Sequence, residues 1–297
     1  MQNLSRFTRI GVAPHAARLA LAVAAGPSFF PPSGACGAPA GPLSPACDAA
    51  YILDDGGAEV AFYGGLGADS LWLNRFDVVT GGETIVAVDV CWIGWAGADG
   101  ALPLGHPVSI LVLDDPDGDG APADASPRAV LETVVAVDVP GAFQRVAIGD
   151  VAVGAAGSSF FVGVLTTTPT KPSPSSEPSF PPLPPGVYYP STADGASDGT
   201  RSWLAVWPGG SGGLGSLSDL QSLADWGYSG AFLVRAIPAP PALGDLDCDG
   251  VVDGADLGAL LGAWGPCPAN AACHADLDGD ALVGAADLGL LLAAWGA

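Results

Sequence analysis

Residues 244–265, GDLDCDGVVDGADLGALLGAWG, return thirty-one residues later as ADLDGDALVGAADLGLLLAAWG, residues 275–296. Two copies so nearly in register are expected to fold alike, and each copy mixes two periods. Its first half sets Asp at every second position, so that alternate side chains turn to one side. Its second half spaces Leu257, Leu260, Leu261 and Trp264, and again Leu288, Leu291, Leu292 and Trp295, at i, i+3, i+4 and i+7, one apolar stripe of a short helix. A helix of this length is unstable alone, so the spacing predicts that the two stripes bury against each other. The pair is then the smallest unit that can fold.

Counted from Asp245, carboxylates fall at positions 1, 3, 5, 9 and 12: Asp245, Asp247, Asp249, Asp253 and Asp256, with Gly250 at position 6. This is the spacing of an EF-hand-type calcium loop, where alternate residues turn oxygens inward, position 6 makes a sharp turn, and position 7, here Val251, offers its carbonyl. The second copy supplies Asp276, Asp278, Asp280, the Leu282 carbonyl and Asp287. Ala281 replaces the position-6 glycine and Gly284 the position-9 acid, so its site is expected to be the weaker. From 245 to 297 there are nine Asp and no Lys or Arg, a carboxylate excess that repels itself without cations. Calcium is therefore expected to drive the folding of this segment.

These residues resemble the type I dockerins, whose pattern is two loop-plus-helix calcium units without an entering helix, each loop closed by Asp. Pro-rich 237–243 (IPAPPAL) supplies no entering helix, and Asp256 and Asp287 close the loops. The resemblance covers 244–297. It implies a small all-α calcium module and a cohesin-like or cell-surface protein partner, in the company of polysaccharide-degrading assemblies. Dockerins present Ser or Thr at loop positions 10 and 11 and bases on the helix. Here those positions hold Gly254-Ala255 and Ala285-Ala286, and bases are absent.

Ahead of the repeat the text is that of a β protein. Runs rich in Val, Ile, Phe and Trp, separated by Gly, Pro and Asp, predict strands near 59–63, 70–79, 84–95, 107–114, 129–138, 143–148, 158–167, 202–207 and 231–236. In 70–79 the alternation of Leu71 and Leu73 slips before Phe76 and Val78, as in a half-buried strand, while 110–113 and 160–165 are continuously apolar and suit an inner sheet. Short strands with one short helix, near 217–226 behind Ser216 or Ser218, predict an antiparallel β-sandwich of jelly-roll type over 48–237. The Pro- and Ser-rich stretch 166–190 reads as a loop within it, with a linker splitting two β units as the alternative. Residues 238–243 form the linker to the C-terminal module.

The N-terminal eighteen residues hold three Arg and no acid, and run into the apolar LALAVAA of 19–25. That predicts an export signal over 1–25, with cleavage as late as residue 35, and a secreted or cell-surface protein. Six Cys fit an oxidising compartment. Cys36 and Cys47 are close enough to pair, as are Cys267 and Cys273, leaving Cys248 over and Cys91 as a buried thiol in a strand. A formal charge of -22 argues against nucleic acid as a partner, and no later apolar run is long enough for a transmembrane segment.

Three further signals lie in the β region. Asp115, Asp117 and Asp119, with Gly120 and nearby Asp124, repeat the 1, 3, 5, 6 spacing without an acid at position 12, and read equally as a structural calcium loop or an acidic turn. Trp72, Trp92, Trp95, Trp203, Trp207 and Trp226 could include a sugar-stacking platform, or be core residues. Catalysis has thin support: Glu59, Glu83 and Glu132 are scattered, and His106 is the only histidine within the β region. The expectation is a secreted, non-catalytic β-sandwich with a calcium-binding docking module. The alternative is an enzyme, then a glycoside hydrolase, or a carbohydrate-binding component acting on polysaccharide.

Overall fold

The computed structural model describes residues 22–25, 51–58, 60–63, 67–92, 101–137, 139, 142–169, 191–195, 197–210, 213–268 and 273–296. Most of the loop predicted over 166–190, residues 1–21 of the predicted signal, Cys36, Cys47, Glu59 and Trp95 lie outside the described residues.

The chain is mostly strand, in several antiparallel sheets, with two short helices at its C-terminal end. In order the strands are β1 (Ala22–Ala25), β2 (Val60–Tyr63), β3 (Asp69–Asp77), β4 (Thr84–Cys91), β5 (Pro107–Asp114), β6 (Ser126–Val134), β7 (Phe143–Ala152), β8 (Ser159–Thr167), β9 (Ser191–Asp194), β10 (Ser202–Trp207), β11 (Gln221–Ser222), β12 (Ala231–Phe232) and β13 (Val234–Pro238). The C-terminal segment adds α1 (Gly254–Gly262), β14 (Gly265–Pro266), β15 (Leu282–Val283) and α2 (Ala285–Ala293). One sheet runs β11-β10-β3-β8-β5-β6, a second β13-β4-β7, a third β1-β2-β9-β12, and β14 pairs with β15.

Side chains from the three larger sheets meet in one core: Trp72 and Phe76 of β3, Val88 and Val90 of β4, Phe160 and Val162 of β8, and Phe62 and Phe232 from β2 and β12. The six-stranded sheet is apolar on its other face as well, where Leu71, Leu73, Leu111, Phe161 and Trp203 cluster. This corrects the reading of β3. There is no slip after Leu73; the strand is buried on both faces, and Asn74, not a hydrophobe, stands in the inner row. Its amide donates to the carbonyls of Phe232 and Val234 at 2.7 and 3.0 Å and accepts from Ser202 Oγ at 2.7 Å and the Phe232 N–H at 3.2 Å. Three of those bonds fall where the chain leaves β12 for β13, crossing from one sheet to another at Leu233, and the fourth comes from Ser202 on β10. A buried amide is tolerated there because every polar atom has a partner.

Two other expectations are overturned. The short helix near 217–226 is a single 3₁₀ turn, Leu217–Asp219, followed by β11 and a tight turn. Its Ser216 makes no side-chain cap, and Leu217 and Leu220 instead lie against the outer apolar cluster. Cys91 is not a thiol: it and Cys248 are both disulfide-bonded, as are Cys267 and Cys273 with each other. β9, directly after the Pro-rich stretch, was not foreseen.

Among the described residues no helix is long and apolar enough to cross a membrane. Among the described residues, two contacts join the C-terminal segment to the β region. The Ala239 N–H donates to the Thr84 carbonyl at 2.8 Å, and a Cβ placed on Gly81, in the turn before β4, would lie 2.2 Å from the Cys248 carbonyl oxygen.

Candidate metal centre

Each acidic loop folds on itself through its own carboxylates. In the second, Asp276 accepts from the Gly279 and Ala281 N–H groups at 2.9 Å each. Asp278 accepts from Asp280 N–H at 3.1 Å, and Asp280 from Leu282 N–H at 2.8 Å. The first loop repeats the scheme with Asp245 to Gly250, Asp247 to Asp249 and Asp249 to Val251. Asp side chains reach a backbone N–H two or three residues on, which is why alternate Asp residues write this turn.

The conformation demands a left-handed residue at position 4 as well as position 6. In the first loop these are Cys248 (φ 64°) and Gly250 (φ 87°), in the second Gly279 (φ 77°) and Ala281 (φ 68°). The spacing in the sequence points only to position 6. The glycine at position 4 of the second loop was the available signal.

Position 12 is the hub. Asp256 Oδ1 accepts from Leu246 and Asp247 N–H at 2.6 and 3.2 Å, and Oδ2 from Asp253 N–H at 2.7 Å; Asp287 makes the same three bonds to Leu277, Asp278 and Gly284 at 2.7, 3.2 and 2.7 Å. Both are fully buried at a helix start. Burial opposes the charge of Asp256, but the backbone donors outweigh it and hold the carboxyl below its ordinary range. At Asp287 the Gly284 N–H leads the same lowering. The opposite holds at position 3. Asp247 is raised by burial and by neighbouring Asp249, Asp256 and Asp245. Asp278 is also raised, the Asp280 N–H being outweighed by burial and three nearby carboxylates.

The structure thus brings positions 1, 3 and 12 together. Oxygens of Asp245, Asp247 and Asp256 lie within 4.8 Å of one another, and so do those of Asp276, Asp278 and Asp287. Asp249 and Asp280 stand outside these trios, bonded to the N–H of Val251 and Leu282, whose side chains are exposed. Asp253 caps α1, accepting from Ala255 N–H at 2.8 Å.

The helices pair differently from expectation. Leu260 and Leu291 are fully buried and Leu257 and Leu288 half-buried, but Leu261, Leu292, Trp264 and Trp295 are each about half exposed. Val252 and Val283, at loop position 8, fill the centre between the helices and narrow the buried stripe. Each copy also closes on the other. Gly265, after α1, pairs with Val283, and the Gly296 N–H, after α2, donates to the Val252 carbonyl at 2.9 Å. The repeated Trp-Gly is therefore the exchange point of the pair, a role its spacing alone did not disclose.

The loop at 115–124, between β5 and β6, has the same local build. Asp115 accepts from Gly118 and Gly120 N–H at 3.1 and 2.9 Å, Asp117 from Asp119 at 3.0 Å and Asp119 from Ala121 at 2.7 Å, with φ of 74° and 77° at Gly118 and Gly120. Asp124 joins Asp115, Asp117 and Asp119 within 4.8 Å. Ser126, at position 12, is engaged by Asp114, and Arg75 donates to the Gly120 carbonyl at 3.3 Å, placing a fixed cation beside the loop.

Of the tryptophans, Trp72, Trp92 and Trp203 are core residues. Trp207 is half-buried and donates to Asp219 at 2.9 Å, and Trp226 is 39% exposed. Compared with known protein families, curated proteins and solved structures, the chain matches none.

Proposed function

We propose that this is a secreted, non-catalytic protein whose β-sandwich is carried on a C-terminal calcium-folded module resembling a type I dockerin, and that the module docks onto a partner protein. The observation that carries the reading is the coincidence of two twelve-residue loops. They share left-handed residues at positions 4 and 6, a buried Asp at position 12, and three converging carboxylates. The donors are all oxygen, the set a hard cation selects. The raised carboxyls at Asp247 and Asp278, pushed up by burial and by their neighbouring carboxylates, mark charge that a divalent cation would relieve. Asp245, Asp247, Asp256 and the Val251 carbonyl would hold one calcium, with Asp249 and Asp253 turning to it. Asp276, Asp278, Asp287 and the Leu282 carbonyl, with Asp280, would hold the other. The loop of Asp115, Asp117, Asp119 and Asp124 is a weaker site of the same kind, because Arg75 already faces it.

Docking is supported by the exposed Leu261, Trp264, Leu292 and Trp295, two like pairs of large apolar side chains beyond what a solvated surface needs. Loop positions 10 and 11, where dockerins carry Ser or Thr, hold Gly254-Ala255 and Ala285-Ala286 here, so the partner face is apolar in character.

The test is calorimetric titration of calcium into the full chain, with Asp245→Ala and Asp276→Ala. Two saturable sites in the C-terminal module, one lost in each variant, are expected. A chain whose heat and circular dichroism do not respond to calcium would refute the module. Docking is tested on an immobilised type I cohesin domain in calcium and in chelator. Calcium-dependent retention lost in Trp264→Ala and Trp295→Ala supports it, and no retention overturns that partner.

A further inference from the structure

A pocket of about 130 Å³ opens where β5 begins and β8 ends, lined by His106, Ser109, Glu132, Leu165, Thr166 and Thr167. It is remote in sequence from the acidic loops of the C-terminal module, and it is assembled by sheet register. Ser109 stands opposite Glu132 on β6 and opposite Leu165 on β8. Ser109 and Thr166 are more than nine-tenths buried.

The hydrogen bonds already made around the pocket decide what it can hold. Ser109 Oγ donates to Glu132 Oε1 at 2.8 Å, Thr166 Oγ1 to the Pro107 carbonyl at 3.1 Å, and Thr167 Oγ1 to Asp69 Oδ1 at 2.5 Å. All three hydroxyl protons are spent inside the protein, so these oxygens have only lone pairs left to offer. Glu132 adds its second carboxylate oxygen. His106 Nε2 lies 2.9 Å from Thr166 Oγ1, the imidazole tautomer setting which of the two donates, so that contact too is made inside the protein. Burial lowers the imidazole's pKa and keeps it neutral. The site is rich in acceptors, lined by no Lys or Arg, and belongs to a chain of charge -22. An anion would be repelled; a ligand must bring donors. Val108 and Leu165 add apolar wall.

We infer that this pocket binds a small, neutral, polyhydroxylated ring, such as a single sugar unit at the end of a glycan. Each ring hydroxyl carries the donor that Glu132, Ser109 and Thr166 lack, and its C–H edge meets Leu165. An engineered cavity of roughly 150 Å³ holds a benzene ring, so this volume admits one six-membered ring, with the remainder projecting through the open mouth.

The experiment uses the full chain in calcium and, separately, in chelator, and follows saturation-transfer NMR with methyl glucoside, galactoside, mannoside and xyloside, and with methyl glucuronide as the anionic counterpart. At least one neutral glycoside is expected to bind with Kd on the order of millimolar, and the glucuronide more weakly. Ser109→Ala removes the lone pairs without adding an atom to the buried wall, and exposed Glu132→Gln removes the charge without touching the core. Each is expected to weaken binding about tenfold. No saturable signal from any neutral glycoside, wild-type affinity in both variants, or equal binding of the glucuronide would overturn the assignment. Sugar binding that persists in chelator separates this site from the calcium loops.

Discussion

The two loops place glycine and alanine at the same left-handed position, and exchanging them measures what that backbone costs. Gly250 has φ 87° and Ala281 φ 68°, and a Cβ added at Gly250 would have nothing within 4 Å. Gly250→Ala therefore introduces no clash; its effect is conformational alone. A left-handed L-residue costs about 1–2 kcal/mol, and glycine's greater freedom in the unfolded chain returns about 0.5–1 kcal/mol. The net is about 0.5–1 kcal/mol, or roughly two- to fivefold in an equilibrium constant. Gly250→Ala should thus weaken the first calcium site about two- to fivefold and leave the second unchanged. Ala281→Gly should tighten the second by the same factor. The assay is calorimetric titration of both single variants and of the double exchange. If both substitutions leave the affinities and the calcium-loaded melting temperature unchanged, the left-handed turn is not a constraint on the loaded loops, and the parallel drawn between them fails.

Three further outcomes follow from the geometry. Leu260→Ala should cost about 2–5 kcal/mol of module stability and Leu261→Ala under about 0.5 kcal/mol, because the first is fully buried and the second is 52% exposed; equal losses in chemical denaturation would contradict the pairing. Gly81→Ala should loosen the module from the β region without unfolding either, since its Cβ would strike the Cys248 carbonyl; hydrogen exchange at 246–250 should rise, and unchanged protection there would count against the contact. His106 has a folded pKa below its ordinary 6.5, so the unfolded chain takes up the proton first and stability falls as pH drops below that value. His106→Gln should flatten that slope in urea unfolding, and parallel curves for the two proteins would assign it elsewhere.

The parts legible in the sequence are those whose geometry is settled within a dozen residues. An Asp that bonds an N–H two or three positions on leaves its mark as alternate spacing, so both C-terminal loops and the 115–124 loop could be found by counting. β5 and β10 likewise keep the expected bounds of 107–114 and 202–207, because continuous apolar runs between turn residues have few other uses. What escaped was settled at longer range. The stripe of α1 gave no sign that Val252 and Val283 would occupy the space meant for Leu261 and Trp264. Asn74 reads as a break in a pattern, and only the strand crossing at Leu233, some 160 residues away, with Ser202 of β10, satisfies its amide in four bonds.

The sequence by itself determined that this chain would be largely β, would end in a duplicated acidic loop-and-helix, and would bend those loops around their own carboxylates, since these depend on residue type and spacing. The tertiary structure alone decided which leucines are buried, that each Trp-Gly closes on the other copy's valine, and that Ser109, Glu132 and Thr166 share one pocket. Those outcomes rest on strand register and on competition for a limited interior, and neither quantity is written in any one stretch of chain.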